Sequence, residues 1–140
     1  MLAHDSLPPF EFAFPGPLRD RLVAAVLSGA KTTTTGLVAD YEHAGDPLPR
    51  AGDRYRVPGS DGRSVAVVEV TDVRVLRLAD VDLRHAVDEG EGHETVAGWR
   101  ADHEGFWQGP EMREALGDPE FAVGDDTMVV AGRFRVVERL

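Results

Sequence analysis

The stretch from Ser64 to Leu78 constrains the fold more than any other part of the sequence. It is rich in valine, which is stiff at χ1 and suits a pleated strand. It is also far longer than the usual strand of about five or six residues. Its apolar phase changes within the run: Val68 and Val70 share one face, while Val73 and Val75 have the opposite parity. A one-residue slip in a continuous strand implies a bulge near Thr71-Asp72. Bulges bend strands, and bent strands are how small barrels turn corners. A chain of 140 residues is the size of one domain. The expected architecture is therefore α+β: a small, partly closed, mainly antiparallel β-barrel with inserted helices.

The remaining elements follow from turn and cap chemistry. Pro8, Pro9 and Pro15 make residues 1–15 an irregular N-terminal arm, and residues 16–140 the domain proper. Gly16-Pro17 opens a helix with proline at its first position, and Gly29 ends it; Leu18, Leu22 and Val26 form its apolar stripe. Gly36, Gly45, Pro47 and Pro49 mark residues 36–50 as a long loop. Arg54 to Val57 reads as a first strand, joined to the long one by a hairpin turn over Pro58 to Gly62. Asp80 to Asp88 reads as a short helix ended by Gly90, and Thr95 caps another running to about Trp107. A loop with Gly109, Pro110, Gly117 and Pro119 leads to a closing strand, Thr127 to Val137. Gly132 interrupts that strand and signals a bend or a close approach.

Composition narrows the function. With no cysteine, disulfides, thiol catalysis and cysteine-ligated zinc are all excluded. No basic region followed by an apolar stretch opens the chain, and no apolar run approaches a membrane span, so the expected location is the cytoplasm. The net charge is -10, which disfavours long nucleic acid and duplex DNA above all. That charge is uneven: residues 80–126 hold 14 acidic and 3 basic side chains, against 11 acidic and 12 basic elsewhere. No pair of histidines has metal-ligand spacing, so neither a metal nor a cofactor is expected.

Of the 15 basic residues, 14 are arginine and one is lysine, Lys31. Asparagine and isoleucine are also absent, as in a GC-rich coding bias that trades lysine for arginine wherever either serves. A lone lysine in such a chain marks a place where arginine does not serve. Lysine can give up its proton and arginine effectively cannot. Lys31 opens the run Lys31-Thr32-Thr33-Thr34-Thr35, just past a helix end. Lys31 and Thr34 can face the same way on a turn, and a deprotonated lysine can activate a hydroxyl. The same run also suits a plain threonine-rich loop.

Two further segments carry chemistry. Glu89, Glu91 and Glu94 lie close enough to raise one another's carboxyl pKa, which suits a general acid or base, or simply form a solvated acidic loop. Trp99, His103 and Phe106 fall on one helix face, which could stack on a nucleobase or belong to the core.

Taken together, these residues resemble the ASCH domain family. The Gly29-x-Lys31-x-x-Thr34 motif, the run Ala86-Val87-Asp88-Glu89-Gly90-Glu91-Gly92, the Trp99-Arg100-x-x-His103 helix and the closing Arg133-Phe134-x-Val136-Val137 strand match bacterial members in order and spacing. The resemblance runs from about Phe14 to Val137. It implies a PUA-like β-barrel with a cleft for RNA or a nucleoside. Some members are amidohydrolases that remove the acetyl group of N4-acetylcytidine, and their catalytic residues fall on Lys31, Thr34 and Glu89. On that reading Lys31 takes the Thr34 proton, Thr34 attacks the acyl carbon, and Glu89 handles the proton delivered to the leaving amine. Gly29, Thr33, Trp99, His103 and Arg133 are the candidate substrate-binding residues. The alternatives are a non-catalytic RNA-binding module and a ribonuclease acting on single-stranded RNA. The expected partner is a small nucleoside or single-stranded RNA, with no duplex DNA and no membrane.

Overall fold

The computed structural model describes residues 3–140, so the first two residues of the expected arm lie outside the described residues. Four strands form one curled antiparallel sheet: β1 (Thr33–Leu37), β2 (Arg54–Pro58), β3 (Ser64–Arg77) and β4 (Met128–Arg139), in the order β1-β4-β3-β2. Among the described residues, five α-helices decorate it: α1 (Pro17–Ser28), α2 (Val38–Ala44), α3 (Leu83–Asp88), α4 (Val96–Trp107) and α5 (Pro110–Leu116). The architecture is α+β, as expected.

The bulge lies where the valine phase slips. Val70 pairs with Phe134 and Asp72 with Arg133, so Thr71 is the extra residue. Before the bulge, Ala66 and Val68 pack in one hydrophobic cluster; after it, Leu76 packs against a second. Val75 stays 47% exposed, so the inward residues of the second half are not the valines. The first cluster joins the arm and α1 to β2, β3 and β4 through Phe12, Val23, Val26, Val57 and Phe134. The second gathers α3, α4 and α5 under β1 and β4 around Trp99, Trp107, Leu37 and Val129.

Helix α1 has Pro17 at its start and Gly29 at φ 84° as its left-handed C-cap. Its buried face is Arg19, Val23 and Val26, one residue round from the expected stripe. Leu18 and Leu22 are half-buried and line a cavity, and Leu22 also packs against the first cluster. The Arg19 guanidinium donates to the Ala13 carbonyl at 2.7 Å and to Glu11 at 3.2 Å, which ties the arm to the helix.

Two open readings are narrowed and one expectation changes. The threonine run is a strand, β1, paired along β4. The segments read as loops at 36–50 and 109–119 each carry a short helix, α2 and α5, ended by left-handed Gly45 and Gly117. Their glycines and prolines punctuate those helices rather than replace them. Gly132 pairs with both Thr34 and Val73, close to the bulge, and a Cβ there would meet nothing within 4 Å, so no close approach within the chain accounts for it. Among the described residues, no helix is long and apolar enough to cross a membrane.

Candidate active site

The chain leaving α1 and the chain leaving α3 meet at one point. Gly90 has φ 75°, and a Cβ on it would lie 2.4 Å from the Ala30 carbonyl oxygen and 2.8 Å from the Lys31 nitrogen. Only glycine allows both the left-handed backbone and that approach. Nearby, the Thr32 amide donates to the Asp88 carbonyl at 2.9 Å. These contacts bring Lys31 and Glu89 together, 58 residues apart in sequence.

Both side chains are buried, Lys31 at 2% and Glu89 at 1% exposure. Lys31 Nζ faces three oxygens: the Thr33 carbonyl at 2.8 Å, Glu89 Oε1 at 3.3 Å and the Glu89 carbonyl at 3.4 Å. An ammonium has three protons, so all are spoken for. To act as a base Lys31 must first lose one of them. The pair sits where the two hydrophobic clusters adjoin: Nζ lies 5.8 Å from the Phe12 ring centre, and Trp99 Nε1 donates to Glu89 Oε2 at 2.8 Å.

Glu89 collects more donors. Thr35 donates to its Oε2 at 2.7 Å, and His103 Nε2 lies 3.3 Å from Oε1. Burial pushes the Glu89 carboxyl up, but the Lys31 charge and the hydrogen bonds from His103 and His85 outweigh it and hold it well below its usual value of 4.5. It is therefore an ionised carboxylate at neutral pH. Thr35 has one proton, and it goes to Glu89; a proton on His85 Nε2, 2.7 Å from Thr35 Oγ1 and 3.5 Å from Glu89 Oε2, faces both oxygens. Burial pushes the His103 imidazole down, but its hydrogen bond to Glu89, that residue's charge and the Trp99 carbonyl outweigh this and raise it above 6.5.

A cavity of about 680 Å³ opens beside this cluster, within the usual size range of small-molecule sites. Lys31, Thr34, Glu89 and His103 all line it, together with Thr35 and the rings of Phe14, Phe106 and Trp107. The other candidates lie outside its lining. Gly29 caps α1. Thr33 is fully buried, and its hydroxyl donates to the His85 carbonyl at 2.9 Å. Trp99 is fully buried behind Glu89. Arg133 pairs with Asp88 at 2.8 Å and reaches Thr32 at 3.4 Å, which braces the two meeting chains. Among the described residues no hydrogen bond reaches the Thr34 hydroxyl; Thr34 follows the buried Thr33 along β1 and pairs in register with Gly132.

Sequence reasoning missed Thr35 and His85. His85 carried a signal, since it stands one helical turn before Glu89. Thr35 carried one as well, because strand alternation puts it on the face of Thr33 rather than Thr34. The ligand atoms of Glu89, Glu91 and His103 lie within 4.8 Å of one another, close enough to suggest a cation site. Glu89 is already engaged by Lys31, Thr35, Trp99 and His103, so this cluster is read as a charged hydrogen-bond network rather than a ligand set.

Solved structures share the fold. A protein from Enterococcus faecalis V583 matches with a TM-score of 0.80 at 24% identity, covering 94% of this chain and 77% of its own. The ASCH domain from Lactobacillus crispatus JV V101 matches with a TM-score of 0.75 at 24% identity, covering 94% and 81%. A mutant ASCH protein from Zymomonas mobilis is more distant, with a TM-score of 0.53 at 13% identity, covering 91% and 67%. No curated protein sequence matches the chain significantly. The curled half-barrel is thus PUA-like. The ASCH domain model matches residues 11–138, nearly the whole sequence including the end of the arm, and the chain belongs to the ASCH domain family.

Proposed function

We propose that the cavity is the active site of a small amidohydrolase acting on N4-acylated cytidine-type nucleosides. The observation that carries this reading is that Lys31, Thr34 and Glu89 line one cavity. Thr34 attacks the acyl carbon, Lys31 in its neutral form takes the hydroxyl proton, and Glu89 holds Lys31 in place. The aromatic walls suit a flat base. The lining also carries five acidic side chains, Glu11, Asp40, Glu89, Glu91 and Asp102, against the basic Arg19, Arg21 and Lys31. That balance favours a small uncharged ligand over a phosphodiester, and so over the ribonuclease reading. One observation favours a second reading. No hydrogen bond joins Lys31 to Thr34 among the described residues, which suits a non-catalytic nucleoside-binding module, although catalytic contacts are often loose without substrate.

The test is hydrolysis of N4-acetylcytidine and related acylated nucleosides, read as cytidine released. Thr34→Val should lower turnover on the order of 100-fold or more, and Thr34→Ser should keep much of it. Both variants should melt close to wild type, because the Thr34 hydroxyl supports no other contact. Wild type that binds these nucleosides but releases no cytidine would move the binding-module reading to first place.

A further inference from the structure

The amide reaction needs a proton for the departing nitrogen, and the site holds one candidate better placed than Glu89. We propose that His103 carries a proton on both ring nitrogens in the resting protein and delivers one of them to the leaving amine. This rests on the amidohydrolase reading for its chemistry but not for the protonation state.

Hydrogen-bond direction carries it. His103 Nδ1 lies 2.9 Å from the Trp99 carbonyl oxygen, which can only accept, so Nδ1 bears a proton. His103 Nε2 lies 3.3 Å from Glu89 Oε1, and an ionised carboxylate also only accepts. A neutral ring would leave an unprotonated nitrogen 3.3 Å from that negative oxygen in a largely buried site. The second proton removes the conflict. The ring is fixed for the purpose, stacked on Trp99 at 4.3 Å between centres and packed edge-on to Trp107 at 5.2 Å.

The charged groups around it agree on balance. Glu89 touches it directly, and Glu91 adds a second negative charge from the loop after α3. Lys31 opposes, its Nζ 3.3 Å from the same Glu89 Oε1 that faces His103. His93, with its ring centre 6.4 Å away, is held by Asp102 at 2.7 Å, so a charge on it is met locally. Burial disfavours the imidazolium, yet the Glu89 contact and charge exceed it and the pKa is raised. Glu89 itself is held ionised and has no proton to give.

His103 lines the cavity at 14% side-chain exposure. Its Nε2 meets Glu89 only at ion-pair distance, which leaves an Nε2–H free to turn its hydrogen bond to a cavity nitrogen. As the acyl C–N bond breaks, its electron pair goes to nitrogen and nitrogen takes the Nε2 proton. His103 is left neutral, its remaining proton still donated from Nδ1 to Trp99. The product leaves as the free amino base, the acyl group remains as an ester on Thr34 until water hydrolyses it to the free acid and restores the hydroxyl, and His103 regains a proton from solvent.

Two measurements test this. ¹⁵N NMR of histidine-labelled protein at pH 7, assigned with His103→Gln, should show both His103 nitrogens protonated, and Glu89→Gln should return the ring to a single proton. A His103 that is neutral at pH 7 in wild type overturns the proposal whether or not the protein is an amidohydrolase. In kinetics, His103→Gln should lose on the order of 100-fold or more on the amide and far less on an activated aryl ester, whose leaving group needs no proton. Wild-type turnover should fall as pH rises through the His103 pKa above 6.5, and that limb should vanish in the variant. Equal losses on amide and ester would overturn the donor role. A protein that hydrolyses neither substrate would remove the amidohydrolase reading and the donor role with it, while the NMR result would stand on its own.

Discussion

Replacing the members of the Lys31–Glu89 pair singly and together should give strongly non-additive losses of stability. The unit charges lie 3.3 Å apart with almost no exposure, an attraction of about 5 kcal/mol at an effective dielectric constant near 20. Desolvation offsets most of that, so the intact pair contributes little net stability. Leaving one charge buried alone costs about 3–5 kcal/mol. Lys31→Met should fall near the lower figure, because Glu89 keeps His103, Thr35 and Trp99 as donors. Glu89→Gln should fall near the upper one, because it removes the carboxylate that all four donors share. At about 3 °C per kcal/mol for a chain of this size, the single losses are about 9 and 15 °C in Tm. The double variant should cost well below their sum, with a coupling energy of about 2–3 kcal/mol. Urea denaturation of the four proteins at pH 7 measures it. Additivity within about 0.5 kcal/mol, or a Lys31→Met loss equal to or larger than that of Glu89→Gln, would refute the reasoning.

Gly90→Ala should destabilise by about 2–5 kcal/mol, combining a left-handed backbone with overpacking against Ala30 and Lys31. Gly29→Ala, at φ 84° with nothing within 4 Å, should cost only about 1–2 kcal/mol, and equal losses by thermal melting would show that the close approach is unimportant. Duplex DNA should not bind measurably at physiological salt, and any single-stranded RNA binding should be weak and weaken further with salt, given a net charge of -10. Fluorescence anisotropy across a salt series checks both, and tight binding that persists at high salt would contradict the charge reasoning.

The features that local chemistry controls were legible in the sequence. The bulge lies where the parity of the valines changes, although Val75 itself faces outward; the limits of α1 followed from Pro17 and Gly29, and the start of α4 from Thr95, whose side chain accepts from the Gly98 amide. The unusual standing of Lys31 came from composition alone. Features that depend on a distant partner were not legible. A threonine run suits a strand or a loop equally, and β1 is a strand only because β4, about a hundred residues later, supplies its hydrogen bonds. The face of α1 shifted by one residue because the helix serves the core on one side and the cavity on the other. The short α2 and α5 hold their place by packing, since helices of 7 residues are too short to be stable alone. The same division runs through the site. Sequence supplied the residue types, but the direction of each proton depends on which acceptor faces which donor. That was decided only when Gly90 let the chain after α3 close against Lys31 and set Thr35, His85 and His103 around one carboxylate.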